Sequence, residues 1–408
     1  MLQIALALLA MSPAPPAEGQ DAARTKATTE AENAAPIVVF GESLADSARR
    51  LQDCIVNKCP PDKDIAATLR HAENQFVAGD YQSARRTLLQ SRGRNQRFSK
   101  TFPVEVANLL RANSRIAAHL GEGEAYRIGA LDALSALKAG LPDDHPRVLG
   151  ARIEVADMLA RFGRIEGAEQ EYRAVARRGK ELGLPTIEGY GLLRIAAMYA
   201  TLAETDRGTY RLAAKRALEA LINNNDPKLA IFVNAGRVIK ARLDFKNGDP
   251  RAVDTLIASY QAQSPDKTPT LLYAPPIERF SSGRGGVDTS FGTNSALSKL
   301  AVQNFEGQWV DIGFWVSPEG KVTDAGILRA SEKFNGRWTP PIIAAINGRR
   351  YAPIALEQGD PGVFRIERYT YTSRWTTNTG SRIRVREPEA QIEMLDLSPD
   401  AAKPGKGR

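Results

Sequence analysis

The sequence predicts an α+β multidomain chain: an α-helical hairpin repeat array of about five units, each near 42 residues, followed by a small β-β-α-β domain. Three observations carry this. Prolines recur at Pro61, Pro103, Pro146, Pro185 and Pro227, in steps of 42, 43, 39 and 42 residues. A second series runs out of phase with them, at Gly79, Gly121, Gly163, Thr205-Asp206 and Gly248. Near residue 308 the apolar period falls from helical spacing to strict alternation.

The chain has 408 residues, a formal net charge of +8, 43% hydrophobic and 25% charged residues, so most of it should bury a core. The charge favours anionic partners or surfaces. The basic residues are scattered, however, in pairs such as Arg49-Arg50, Arg85-Arg86, Arg177-Arg178 and Arg349-Arg350. No Lys/Arg run with interleaved aromatics is present, which argues against nucleic acid as a partner.

Residues 1–17 (MLQIALALLAMSPAPPA) read as a signal peptide: a short apolar run from Leu2 to Met11, then small residues and prolines, with Ala17 a plausible cleavage position. No Lys or Arg precedes the run, so a start with its anchor further upstream is the alternative. The run is shorter than the roughly 20 apolar residues of a membrane span. The expectation is an exported, periplasmic protein, peripheral to a membrane at most.

Residues 18–60 should form a disordered leader, polar and aperiodic to about Pro36, and then an N-terminal helix over Glu42 to Asn57. Cys54 and Cys59 are the two cysteines, and in an exported protein they suggest a disulfide. Two unrelated thiols are the other reading. A bridge across five residues requires the helix to end between them, as Pro60 and Pro61 favour. Two thiols without nearby histidines make an incomplete zinc shell, so no metal is expected.

The helical array is expected over 61–264. Proline suits the first turn of a helix, where its missing N–H has no partner to lose. Glycine suits the tight turn that ends a helix, because it adopts the left-handed conformation cheaply. Each unit is therefore proline, first helix, glycine turn, second helix. In the third unit Val148, Val155, Leu159 and Phe162 line the first helix, and Ile165, Ala168, Tyr172, Val175 and Leu182 the second. A lone hairpin cannot cover both stripes, but stacked neighbours can.

The turn segments GDYQSARRTLL (79–89) and GRIEGAEQEYRAV (163–175) resemble the tetratricopeptide repeat pattern, in which a small residue follows the turn glycine by five positions. Ala84 and Ala168 match; Tyr126, Tyr210 and Val253 depart from it. The resemblance implies a face that binds a peptide or partner protein.

Residues 265–300 read as a flexible linker. Prolines at 265, 269, 275 and 276 break helices, and SSGRGGVDTSFGTNS (281–295) is rich in Gly and Ser. In 301–375 one strand opens at Trp309-Val310 with Ile312, Phe314 and Val316 alternating; SPEG (317–320) turns, and Val322 to Leu328 returns. Pro340 to Ile346 begins a short helix that Gly348 stops, and Val363 to Tyr371 alternates again. Residues 376–408 remain as a tail.

The segments GFWVSPEGKVTDAGILRAS (313–331), PIIAAINGRRYAPI (341–354) and VFRIERY (363–369) resemble the C-terminal domain of TonB, the periplasmic energy transducer. Tyr273-Ala274-Pro275-Pro276 is the candidate for the proline element that often precedes that domain. The resemblance implies strand addition, in which a partner's extended peptide pairs with a free sheet edge. The edge it implies is the third strand: Phe364, Arg365, Ile366, Glu367, Arg368, Tyr369, Thr370 and Tyr371. A strand covered by the tail, through Ile383-Arg384-Val385-Arg386, or by a second copy is the other reading. No membrane anchor and no long Pro-Lys or Pro-Glu spacer is visible, so the reading is a docking module first and an energy transducer with a missing anchor second.

Chemistry finds no support in the sequence: no HExxH, G-x-S-x-G or GxxxxGK[ST] occurs. The histidines are His71, His119 and His145; Asp143-Asp144-His145 should cap the helix that Pro146 opens. Trp309, Phe314, Trp315, Trp338 and Trp375 should pack the C-terminal domain. The expected function is a non-enzymatic periplasmic scaffold without cofactor or catalytic residues. Its partners would be other proteins, including an outer-membrane receptor or envelope components, with outer-membrane transport the process implied.

Overall fold

The computed structural model describes residues 42–260, 268–277, 305–357, 359–377 and 384–398. The signal peptide, the leader to residue 41 and the glycine-rich stretch 281–295 lie outside the described residues. The chain is α+β. Among the described residues eleven α-helices come first and a C-terminal sheet region with one more helix follows.

Helix α1 spans Leu44–Val56 and α2 Pro61–Val77; Cys54 and Cys59 are disulfide-bonded across the break. The helix ends between them, with Lys58 in the left-handed region at φ 52°. Then come α3 (Tyr81–Asn95), α4 (Pro103–His119), α5 (Gly123–Gly140), α6 (Pro146–Arg161) and α7 (Ile165–Glu181). After these follow α8 (Pro185–Thr205), α9 (Arg207–Ile222), α10 (Ala230–Lys246) and α11 (Ala252–Ala258).

Prolines 61, 103, 146 and 185 stand in the first turns of α2, α4, α6 and α8, while Pro227 opens a short 3-10 turn ahead of α10. Gly79, Gly121, Gly163 and Gly248 all have positive φ, between 75° and 105°. Where the fourth unit lacks glycine, Asp206 instead caps α9, its side chain accepting from Thr209 N at 3.1 Å. Ala84 and Ala168, the small residues after two of the turns, are fully buried. Leu182 is the exception on its stripe: it caps the C-terminus of α7 and is exposed.

The cap of α6 is not acidic as expected. His145 Nδ1 accepts from Arg147 N at 3.1 Å, while Asp144 is drawn off to Arg178 and Asp143 to Lys138. A surface arginine and a surface lysine outcompete the helix end for the two carboxylates.

The C-terminal region is richer than β-β-α-β. Strand β1 (Leu271–Tyr273) pairs with β4 (Arg350–Tyr351), inside the stretch expected to be linker. Leu272 is buried there against Ala241, Leu256 and Ala352, so this part of 265–300 joins the array to the sheet as packed structure. The main sheet contains β2 (Gln308–Val316), β3 (Val322–Ala330), β5 (Val363–Thr377) and β6 (Arg384–Asp396), all antiparallel, in the order β3-β2-β5-β6. Helix α12 (Pro340–Asn347) covers one face, where Phe314, Ile342, Ile346, Trp338, Tyr369 and Tyr371 form the core.

The expected edge strand is therefore not an edge. Phe364 to Tyr371 pairs with β2 on one side, from Phe364↔Trp315 to Tyr371↔Gln308. On the other side Glu367 to Tyr371 pairs with Asp396 to Ile392 of β6, and the Ile366 carbonyl accepts from Leu397 N. Within the stretch assigned to the tail, Arg384–Asp396 form a 13-residue strand. An unpaired row of backbone groups is costly to leave open, and the chain closes it with its own C-terminal strand.

Candidate functional site

The eight residues expected to bind a partner are brought together, but against this chain. Alternation along β5 turns Glu367, Tyr369 and Tyr371 toward α12 and Arg368, Thr370 and Thr372 toward the helical array. Both faces are buried, which explains why the strand carries polar residues in both registers.

Arg368 is fully buried. Its Nε and Nη2 donate to the Asp311 carboxylate on β2 at 2.6 and 2.9 Å. Its Nη1 and Nη2 also donate to the carbonyls of Phe76 and Val77, at 2.5 and 2.8 Å. Those carbonyls belong to the last turn of α2, beyond its regular helical hydrogen bonds, and Phe76 O also accepts from Gly79 N at 2.9 Å. A cation there also meets the negative end of the helix dipole. The guanidinium lies 4.0 Å from the centre of the Trp309 ring and 5.7 Å from that of Phe76.

Thr370 Oγ1 is shared by the Tyr81 hydroxyl at 3.0 Å and His119 Nδ1 at 2.9 Å. Phe76 stacks on Tyr81 at 4.5 Å and meets His119 edge-on at 5.0 Å. Burial holds the His119 imidazole neutral, its pKa depressed to about 4, and raises the Tyr81 hydroxyl to about 12. The array contributes its turns to this contact. A Cβ on Gly79 would fall 2.4 Å from Trp309 Cζ2, and one on Gly121 would fall 2.0 Å from the Ser373 carbonyl oxygen. Gly121 O accepts from Trp375 N at 2.8 Å, extending the pairing from sheet to turn. Further along, Arg161 at the end of α6 pairs with Glu393 of β6, and Arg374 stacks on Phe162 at 5.0 Å. The sheet thus sits across three successive helical turns.

No family model matches this chain, and no curated protein matches it.

Two further features complete the candidate surface. Behind β5, Arg349 donates to Glu367 through both Nη atoms at 2.7 and 2.9 Å, and Glu367 also accepts from the Tyr369 hydroxyl at 2.5 Å. These groups satisfy one another within the domain and present nothing to a ligand. On the array, an open groove of about 1320 Å³ runs along α5, α6 and α7. Leu131, Leu134, Val155, Met158, Leu159 and Phe162 supply its apolar lining. Its charged rim is mostly self-paired: Arg127 with Glu124, Lys138 with Asp143, and Arg152 with Glu171.

Sequence reasoning placed Arg368 and Thr370 but missed Tyr81, His119, Asp311 and Glu393, whose partners lie far along the chain. The signal available was the unusual strand itself, with Arg368, Thr370 and Thr372 polar on one face, yet carrying no lysine or glutamate there. Of the aromatics, Phe314 and Trp338 are core as expected, whereas Trp309 packs against the array. Among the described residues no helix is long and apolar enough to cross a membrane.

Proposed function

We propose that this chain is a non-enzymatic protein-binding scaffold, exported to the periplasm, in which tetratricopeptide-like repeats present the partner groove and a TonB-like module braces them. The observation that carries this is the groove along α5, α6 and α7. Its volume of about 1320 Å³ exceeds the roughly 300–1,000 Å³ of small-molecule pockets and suits a segment of another protein. Its lining mixes apolar side chains with charged ones, and Leu131 stays 39% exposed. An amphipathic helix laid into such a groove hides these side chains, as helix-in-groove recognition does elsewhere. The self-paired rim leaves apolar contact as the main source of affinity.

The TonB-like module takes a supporting role in this reading. Its third strand is occupied on both sides, so a partner strand would have to displace β6 and break the Glu393–Arg161 pair to add there. The partners are proteins of the envelope.

The test is recovery of partners by the tagged full-length protein from periplasm, comparing Leu131→Glu in the groove with Ile327→Glu on exposed β3. Both sites are exposed enough to accept a charge without unfolding. The proposal expects a partner that is lost with Leu131→Glu and kept with Ile327→Glu. Equal recovery by both variants, or none by the parent, would overturn it.

A further inference from the structure

At the ends of β5 and β6 nearest residues 377 and 384, three arginines gather, with Glu306 and Glu122 the acids whose charge reaches them. Trp375 of β5 is the cross-strand partner of Arg386, and the guanidinium groups of Arg386 and Arg384 lie over its indole at 4.4 and 5.4 Å. On the adjoining side Arg374 stacks on Phe162 and would meet a Cβ on Gly123 at 3.3 Å. Arg386 reaches the same turn, its Nη1 close to Gly121 and donating to Ser373 O at 2.7 Å and Thr372 Oγ1 at 3.2 Å.

None of the three arginines makes an ion pair with a described residue. The acid nearest the turn, Glu122, is taken by Arg85 at 3.1 Å. Elsewhere arginines of the described chain are matched closely: Arg368 to Asp311, Arg349 to Glu367, Arg161 to Glu393. Burial lowers the Arg386 pKa and the Arg384 charge adds to the shift, with the charges of Glu306 and Glu122 opposing it.

We infer that Arg374, Arg384, Arg386 and Trp375 form a docking patch for an anionic phospholipid surface. Guanidinium forks fit phosphate oxygens two at a time and lose less on leaving water than ammonium groups do. An indole flanked by cations is the residue set that settles at the headgroup level of a bilayer, with the ring at the acyl boundary and the charges at phosphate. An acidic peptide would be drawn by the charge but would leave the indole without a purpose. A free phosphate would need one enclosed cradle, whereas Arg384 and Arg386 lie over the Trp375 indole and Arg374 packs apart from them on Phe162. The patch is separate from the groove on α5 to α7, so it positions the scaffold at a membrane rather than choosing its partner.

The test uses the full chain and vesicles of phosphatidylcholine alone or with 30% phosphatidylglycerol, read by sedimentation and by tryptophan emission. Binding to the mixed vesicles, not to pure phosphatidylcholine, is expected, weakening as salt rises. Arg384→Glu, at an exposed position, should weaken it about tenfold with an unchanged circular dichroism spectrum. Trp375→Phe should remove the blue shift of emission while Trp315→Phe, at the other partly buried tryptophan, should keep it, Trp309 and Trp338 being buried. Equal binding to both vesicles, or no effect of Arg384→Glu, would overturn the inference. So would displacement by 10 mM inorganic phosphate at fixed ionic strength, which assigns a free anion, or tighter binding to polyglutamate, which assigns an acidic protein.

Discussion

Trp309 lies so close to Gly79 that the turn between α2 and α3 has no room for a side chain: an added Cβ would sit 2.4 Å from the indole. Two demands meet at this glycine. The turn needs a φ of 90°, and the sheet needs the space. Gly121 carries the same double demand through Ser373, while Gly163, with φ 75°, has nothing within 4 Å of its Cβ position.

The three glycines should therefore separate on substitution. Gly163→Ala should cost about 1–2 kcal/mol, the left-handed penalty alone. Gly79→Ala and Gly121→Ala should each cost clearly more, about 3 kcal/mol or above, because the sheet must lift as well. Chemical denaturation of the three variants checks this; equal losses would mean that the sheet does not rest on the turns.

Arg368→Met should be among the most damaging changes in the C-terminal domain. It leaves the buried carboxylate of Asp311 to Arg329 alone and takes a charged donor from the Phe76 and Val77 carbonyls. Breaking a buried pair from one side typically costs about 3–5 kcal/mol. Thermal unfolding should fall sharply, and limited proteolysis should release the C-terminal region from the helices. The double variant Arg368→Met/Asp311→Leu should recover part of the loss, since neither partner is then left charged and buried.

The contact should also loosen in acid. His119 titrates near 4 in the fold against 6.5 unfolded, chiefly through burial, with Glu393 pulling the other way and Arg161 and Arg368 adding to the shift. Between those values the unfolded chain binds more protons than the native one, so stability rises with pH there. Its contribution is present above pH 6.5 and is lost as pH falls toward 4, up to about 3 kcal/mol for this one group. His119→Gln should flatten that part of the pH–stability curve, with Thr370 still within reach of an amide. An unchanged slope would place the titration elsewhere.

Reducing the Cys54–Cys59 bond should loosen α1 without unfolding the array. The closed loop is short, so the chain-entropy gain is roughly 2 kcal/mol. Helix α1 keeps its contact with α2 through Ser47 and His71 Nδ1 at 3.0 Å. Faster amide exchange confined to residues 44–59 after reduction is the expected result; global unfolding would contradict it.

Much of the architecture could be read from local rules, because local rules made it. Prolines at first turns, glycines at positive φ, and Ile312, Phe314 and Val316 alternating on β2 depend on neighbours a few residues away. The failures share a different cause. Gly79 and Gly163 look alike in sequence, and only Trp309, some 230 residues beyond Gly79, tells them apart. Arg368 finds its helix carbonyls 292 and 291 residues back. Strand β1 is three residues long, too short for any period to show, and so read as linker. Strand β6 contains Arg-Glu-Pro-Glu at 386–389, which reads as tail, and the irregular register between Ser373 and Trp375 is where the pairing absorbs it. The groove was invisible for a related reason: its apolar lining comes from three helices, each of which looks like an ordinary amphipathic surface.

The central claim is that β5 is spent on this chain's own helices rather than offered to a partner. A photo-activated crosslinking residue in place of Thr370, in the full-length protein, tests it most directly. Peptide mapping should find the product within the same molecule, joined to segments around Tyr81 and His119. A crosslink only to other proteins, with none to the helical turns, would contradict the account.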